Sequence, residues 1–481
     1  MLFNSPSFAV FFPVVTLLYF ALPQRARAPL LLAASCVFYM AFIPEYILIL
    51  AFLIVVDYSA GLLIESARGP RRRAWLIVSL CANIGILGFF KYFNFFNDNL
   101  AALARVLGWN YSIESLRIIL PIGLSFHTFQ SMSYTIEVYR GRVPAERSPL
   151  YFALYVMFYP QLVAGPIERP QHLLPQFREH HRFTWANFVQ GMQLMVTGLF
   201  KKIVIADRVA LVVNTVYADP GQYSGAQLLV ATWLFAVQIY CDFAGYTEIA
   251  RGAAKIMGFD LMVNFNRPYL ATSIVDFWRR WHISLSTWFR DYLYFPLGGN
   301  RRGRARTCLN LALVFLISGL WHGANWTFII WGALHGLFVV VYVLTETPRA
   351  RLAAALPAAL MTFLSWLLTF SLVTLAWVFF RAATRHDAML ILSKVFTELG
   401  GLEATDVHPG LDGLQFGLAL AVIAALVVLE LVSTRRSVWA LIAARPRWQR
   451  WAAYYAFGLA FGVLLLLSPQ SGPQPFVYFQ F

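Results

Sequence analysis

The sequence predicts an all-α, polytopic membrane protein, and two observations carry that prediction. Of 481 residues, 59% are hydrophobic and only 13% charged. Apolar runs long enough to cross about 30 Å of hydrocarbon at about 1.5 Å per residue recur along most of the chain. Runs near 7–22, 29–44, 46–66, 75–92, 117–136, 187–206, 225–246, 307–322, 325–344, 357–380, 413–433 and 452–468 give eleven or twelve spans. No stretch reads as a separate soluble domain, so residues 1–481 form one polytopic membrane domain.

The first run lacks the basic start and small-residue cleavage site of a removable signal, and is read as a retained span. Two further segments are too short or too polar to cross simply. Residues 150–165, interrupted by Pro160, and residues 272–299 are predicted to be re-entrant or in-plane helices. Irregular backbone at membrane depth survives only when it is buried in protein or faces a water-filled cavity. Such a chain builds a pocket. Residues 97–107 and 388–399 are amphipathic and are expected to lie in the membrane interface.

Charge sets the orientation. The formal net charge is +15, but the basic residues sit in loops between apolar runs, which is the positive-inside pattern and argues against nucleic acid as a partner. Arg25 and Arg27, Arg68 and Arg71 to Arg73, Arg140, Arg142 and Arg147, and Arg301, Arg302, Arg304 and Arg306 mark cytoplasmic loops. Arg435, Arg436, Arg445, Arg447 and Arg450 mark another. Both termini then lie outside. Lys201 and Lys202 interrupt an apolar run and are expected to reach the headgroups. Cys36, Cys81, Cys241 and Cys308 fall in or beside apolar runs without metal-ligand spacing, and read as small apolar residues.

Residues 276–325 hold the densest chemistry. Read as one helix at about 100° per residue, residues 276–291 place Trp278, Trp281, Leu285 and Trp288 on an aromatic face, and Asp276, Arg279, His282, Ser286 and Arg290 on a polar one. His322 closes an apolar run. A histidine in a helical wall is commonly structural. Here Trp321 and Gly323 flank it, Asn325 stands near enough to orient it, and a new span begins at Trp326. A neutral imidazole at such a bend can take a proton from a hydroxyl and promote its attack on an acyl thioester. His282 has two readings: completing an ion-pair network of Asp276, Arg279 and Arg290, or binding a pantetheine or phosphate-bearing donor with those arginines. His335 reads as a packing histidine that supports the site from behind. His127, sharing a span with Ser131, Ser133 and Tyr134, suits a cavity wall or hydrogen bonding between helices. Asp242, Tyr246, Glu248 and Arg251 form a possible intramembrane charge network. G-x-S-x-G, Walker, dinucleotide and H-E-x-x-H motifs are absent, which leaves a hydrolase, an ATPase pump or a metalloprotease without support.

The runs WRRWHISLSTW (278–288) and GLWHGAN (319–325) resemble the membrane-bound O-acyltransferase family, in particular its bacterial alginate O-acetylation branch. YPQLVAGPI (159–167), PIGLSF (121–126) and DYLYFPLGGN (291–300) match further stretches of that branch. The resemblance is strong over about 115–345. It implies a ring of tilted helices around a funnel with His322 at its base and His282 as the second family histidine. It implies no bound cofactor, and an acyl donor such as acetyl-CoA on the cytoplasmic side. Acetyl would pass across a bacterial inner membrane to periplasmic acetyl-acceptor or acetyltransferase proteins that modify alginate or a similar exopolysaccharide. On this reading Arg279, Ser286, Arg290, Trp321, Asn325 and Gln161 support or bind around the two histidines, and membrane lipid is the remaining partner. Peptidoglycan and teichoic acid are alternative acceptors, and a non-catalytic transporter or scaffold is the alternative from another class.

Overall fold

A computed structural model describes residues 1–116, 118–398, 408–433, 438–468 and 476–477. Arg435, Arg436, Leu399 and the first residue of the expected 117–136 span lie outside the described residues. Helices dominate from end to end. The first group comprises α1 (Pro6–Ala21), α2 (Gln24–Met40), α3 (Ile47–Ser66), α4 (Pro70–Leu87), α5 (Phe93–Leu107) and α6 (Leu124–Tyr139). Short helices α7 (Pro149–Met157) and α8 (Pro170–Leu173) follow, then α9 (Trp185–Leu199), α10 (Asp207–Ala218) and the long α11 (Gly225–Ile256). Two short helices, α12 (Ile274–Arg280) and α13 (Ile283–Phe289), precede α14 (Gly303–His322) and α15 (Trp326–Leu344). The chain continues through α16 (Glu346–Ala355), α17 (Ala358–Arg381), α18 (Arg385–Thr397), α19 (Gly413–Val432), α20 (Val438–Ala443) and α21 (Arg447–Leu466).

Every run expected to span coincides with a helix. Among the described residues seven helices are long and apolar enough to cross a membrane: Pro44–Ser66, Pro70–Leu107, Gly225–Ile256, Gly303–His322, Trp326–Leu344, Ala358–Arg381 and Gly413–Val432. The chain is a multi-pass membrane protein. Apolar side chains such as Leu17, Val106, Leu368 and Leu459 stay more than half exposed on outer surfaces, as a protein solvated by lipid tails requires. Helix 117–136 is shorter than its hydropathy suggests, because residues 118–123 are non-helical up to Gly123, which sits in a left-handed conformation before α6.

Hydrophobicity does not drive helices together inside lipid, so close packing and buried polar contacts must. At the α9–α11 crossing a Cβ on Gly198 would come within 2.5 Å of the Gly245 carbonyl oxygen, and one on Gly245 within 2.6 Å of that of Gly198. Only glycine admits that approach. Between α3, α4 and α6, buried Asp57 accepts hydrogen bonds from Ser79 (2.6 Å) and Asn83 (2.9 Å). Lys201 and Lys202 lie in a π-helical turn, Phe200–Ala206, and both are buried. They do not reach the headgroups: Lys202 pairs with Asp242 (2.6 Å) and Asp207 (2.8 Å), and Lys201 with Glu248. A cation in that interior persists because carboxylates on α10 and α11 meet it.

Residues 158–169, after α7, are irregular and entirely buried in protein. Their polar backbone is met locally: Gln161 and Gln130 both donate to the Tyr155 carbonyl, and Tyr155 donates to that of Glu168.

Candidate active site

The site is assembled from helix ends. α14 terminates at His322, three residues form a turn, and α15 starts at Trp326 with Asn325 as its cap, the Asn325 side-chain oxygen accepting from the Thr327 amide at 3.1 Å. The two helices diverge from this turn in close contact, since a Cβ on Gly319 would meet the Phe328 carbonyl oxygen at 2.4 Å. His322 is thereby held at a fixed vertex. Its Nδ1 lies 2.7 Å from the Ser318 carbonyl oxygen one turn back. A carbonyl only accepts, so Nδ1 carries a proton, and in the neutral form of the ring Nε2 is the basic nitrogen.

A second element closes on the same vertex. α4 and α5 are joined through a π-helical turn, Gly88–Tyr92. Lys91 donates from Nζ to the Trp321 (2.8 Å) and His322 (2.9 Å) carbonyls, and Tyr92 donates to that of Leu320 (2.7 Å). The last three carbonyls of α14 are therefore capped from outside the helix, and a cation sits where the helix dipole is negative.

These parts enclose a cavity of about 620 Å³. Its wall combines Lys91 and Asn94, residues 118–126, Val163 and Ala164, residues 321–325, Thr327 and Phe328, and Arg381 to Ala383. His322 lines it. The ring also meets Trp331, at 4.7 Å between centroids, Trp321, at 4.9 Å, and Phe380, at 5.6 Å. Three helices meet the cavity at or near the end away from their arginines: α14 starts after Arg301 and Arg302, α4 holds Arg71 to Arg73 in its first turn, and α6 runs from the cavity to Arg140, whereas α17 reaches it with its terminal Arg381.

Of the residues singled out in the sequence, Trp321, His322 and Asn325 line this cavity together. His282 does not. It is fully buried, with its ring 4.7 Å from Phe243, 6.1 Å from Phe126 and 6.4 Å from Trp321. Trp321 touches both histidines. The single helix expected over 276–291 is broken at His282, which adopts φ 43°, ψ 56°. The break is pegged by an irregular strand of chain: Asn266 N–H donates to the Arg280 carbonyl and Ile283 N–H to that of Asn264. A left-handed non-glycine residue costs about 1–3 kcal/mol and marks a position the surroundings over-determine. Ser286 donates to the Trp281 carbonyl at 3.1 Å across the break.

The polar face dissolves with the helix. Asp276 pairs with Arg280 at 2.9 Å, Arg290 with Asp291 at 2.8 Å, and Arg279 is exposed. The anticipated network of Asp276, Arg279, His282 and Arg290 is not formed. Gln161 is buried and donates to the Tyr155 carbonyl at 2.7 Å, away from the cavity wall. His335 receives the Trp278 indole N–H at 3.3 Å and meets Trp331 edge-on at 4.9 Å, behind His322. His127 packs against Tyr39, while its neighbours Ser125 and Phe126 reach the cavity. Asp242 belongs to the Lys202 cluster.

Lys91, Asn94 and Arg381 were not anticipated. Lys91 was legible, since a lone lysine inside the apolar run 84–96 marks a functional position in a membrane helix. Arg381 resembles an ordinary basic flank at the end of a span.

Residues 142–381 match the model of the membrane-bound O-acyltransferase family. The chain is 42% identical to a probable alginate O-acetylase, AlgI, of Pseudomonas aeruginosa, over 87% of this chain and 79% of that one. It is 37% identical to the probable alginate O-acetylase of Pseudomonas putida over the whole of both. A peptidoglycan O-acetyltransferase of Helicobacter pylori is 38% identical over 82% of this chain and 79% of its own. By likeness of this extent, the chain belongs to the membrane-bound O-acyltransferase family.

Proposed function

We propose that this enzyme moves an acetyl group from acetyl-CoA, or another cytoplasmic acyl thioester, towards O-acetylation of alginate or a similar exopolysaccharide. It does so as one polytopic unit of a bacterial inner membrane, with its amino terminus in the periplasm and periplasmic acetyl-acceptor proteins as partners. One observation carries the reading: His322 lines the cavity with Nδ1 committed to Ser318, which makes Nε2 the base. Nε2 takes the hydroxyl proton as the acceptor oxygen bonds to the thioester carbonyl carbon. The carbon–sulfur bond then breaks and the imidazolium returns its proton to the thiolate. No acyl-enzyme intermediate is needed.

Trp321 and Asn325 frame the imidazole. His282, set by Ser286 and the break around it, holds Trp321 from behind. Arg279 and Arg290 are exposed and outside the cavity lining, and suit contact with headgroups or an arriving donor. General-base catalysis contributes about 10²–10⁴-fold, so His322→Ala is expected to lower acetyl transfer at least that far while the amount of folded protein is unchanged. Purified protein, labelled acetyl-CoA and uronate or peptidoglycan-fragment acceptors provide the assay, and the two acceptors separate the alginate reading from the peptidoglycan one. Transfer retained by the variant removes His322 as the base.

A further inference from the structure

Five acidic side chains among the described residues are buried: Asp57, Glu137, Glu146, Glu168 and Asp242. Four of them meet a basic side chain. Glu137 pairs with Arg140 and Arg142, Glu146 with Arg178, Glu168 with His172, and Asp242 with Lys202. Among the described residues Asp57 has no basic group within ion-pair distance. It stands midway along α3, a helix apolar enough to cross the membrane. Its surroundings are rich in uncharged polar groups, with Ser79 and Asn83 from α4 and Ser131 and Thr135 from α6, all buried.

Both Asp57 oxygens receive donors, which is how a charged carboxylate bonds. Asn83 Nδ2 donates to Oδ1 at 3.0 Å and to Oδ2 at 2.9 Å. Ser79 Oγ lies 2.6 Å from Oδ1, the length of a hydroxyl bonded to a charged oxygen. A negative charge at membrane depth with no cation beside it is costly, and such residues mark ion or proton sites. The cluster also has polar atoms to spare. Ser131 faces the carboxylate, yet its Oγ has no hydrogen-bond partner, and neither has Asn83 Oδ1. Thr135 Oγ1, 3.0 Å from Ser79 Oγ, gives its proton to the Met132 carbonyl. Lone pairs of three hydroxyls are thus left beside one negative charge.

We propose that Asp57, Ser79, Ser131 and Thr135 form a sodium-ion site that ties α3, α4 and α6 together inside the membrane. An all-oxygen set suits a hard cation. One carboxylate neutralises one positive charge, whereas a divalent ion leaves a charge unmatched where nothing solvates it. Neighbouring ligand oxygens stand only 2.6 and 3.0 Å apart, which suits a small ion better than potassium. Asn83 steadies the carboxylate from α4. The helices so tied carry parts of the candidate active site. α4 leads into the turn of Lys91 and Tyr92, and α6 starts at the cavity and stacks Phe129 on Trp321. Sodium binding there is independent of which residue serves as the base.

Thermal unfolding of the full-length protein in detergent tests the site, with sodium, potassium or N-methylglucamine chloride at equal ionic strength. A ligand that binds the folded state alone raises the unfolding temperature as its concentration rises. Sodium is expected to raise it by several degrees over N-methylglucamine, and potassium by less. Asp57→Asn, a neutral side chain of nearly the same shape, is expected to fold and to lose the sodium response. Ser131→Ala removes one ligand and is expected to move the half-maximal sodium concentration up about tenfold; this milder variant reads the site even where Asp57→Asn does not accumulate. Unfolding indifferent to the cation, as a proton or a buried water at Asp57 would give, overturns the proposal. So does an equal rise in potassium, a full sodium response in Asp57→Asn, or an unmoved half-maximal concentration in Ser131→Ala.

Discussion

At the scale of single residues, the vertex of α14 and α15 turns on who satisfies whom. The end of an α-helix leaves carbonyl oxygens without intrahelical donors, and here Lys91 and Tyr92 supply them from another helix. Lys91 is a positioning residue: it touches the backbone of Trp321 and His322 and thereby fixes where the imidazole stands. Lys91→Met keeps the aliphatic stem and removes the donors. Losing a partner for a buried polar group costs about 1–3 kcal/mol, so thermal unfolding of this variant in detergent is expected to fall by a few degrees. Acyl transfer is expected to fall by more than stability explains, at least about tenfold, because a displaced base loses reach to the acceptor proton. Lys91→Arg, which can still donate to carbonyls, recovers part of the activity. Equal activity in Lys91→Met and wild type shows that the vertex holds without it.

At the scale of elements, the three π-helical turns among the described residues, Gly88–Tyr92, Phe200–Ala206 and Arg290–Tyr294, each carry a basic residue; the first presents half-buried Lys91 and the second buried Lys201 and Lys202 to neighbouring helices. A π turn widens a helix locally and re-aims a side chain, a feature that periodicity averaged over a span cannot reveal. Elsewhere a pair four residues apart makes its own prediction. His172 on α8 lies 2.7 Å from buried Glu168 and remains partly exposed; the hydrogen bond to Glu168 raises its pKa above the usual imidazole value, against the lowering effect of burial. The protonated form is favoured in the fold. Its stabilisation is thus complete below the unfolded pKa of about 6.5 and is lost as pH rises through the higher folded pKa. Wild type is expected to exceed His172→Gln in unfolding temperature below about pH 6.5, with the gap closing in alkali; a gap constant with pH discounts the pair. Of the eleven or twelve spans expected, the seven helices long and apolar enough to cross were legible because a run of about 20 apolar residues has few other solutions. The break at His282 was not, since the residues on both sides keep helical spacing and its cause, Asn264 and Asn266, lies in a different part of the chain. Trp321, His322 and Asn325 were legible as neighbours in one short motif, whereas the cavity also needs Lys91, Ser125 and Arg381 from three distant helices.

At the scale of the whole molecule, one column of stacked rings separates the two ends. Trp288 lies face to face with Phe129 at 3.8 Å, Phe129 stacks on Trp321 at 5.2 Å, and Trp321 borders His322 and the cavity. Tyr292 continues the column from Trp288 at 5.1 Å, and both Arg140 and Arg169 hold their guanidinium carbons within 5.2 Å of its ring centre. The column leads from the cavity to the arginine-rich end. The positive-inside rule predicts a cytoplasmic face for that end; in that orientation the donor meets His322 along or past these rings and the acceptor from the cavity. The orientation can be tested directly. In a version with its four cysteines replaced by serine, a single cysteine at Ile119, an exposed residue on the cavity wall, is expected to react with a membrane-impermeant maleimide added to cells whose outer membrane is opened. A cysteine at Arg302, on the exposed loop before α14, should react only after the inner membrane is breached. The reverse pattern would turn the molecule over and place the cavity, with His322 on its wall, on the donor's side.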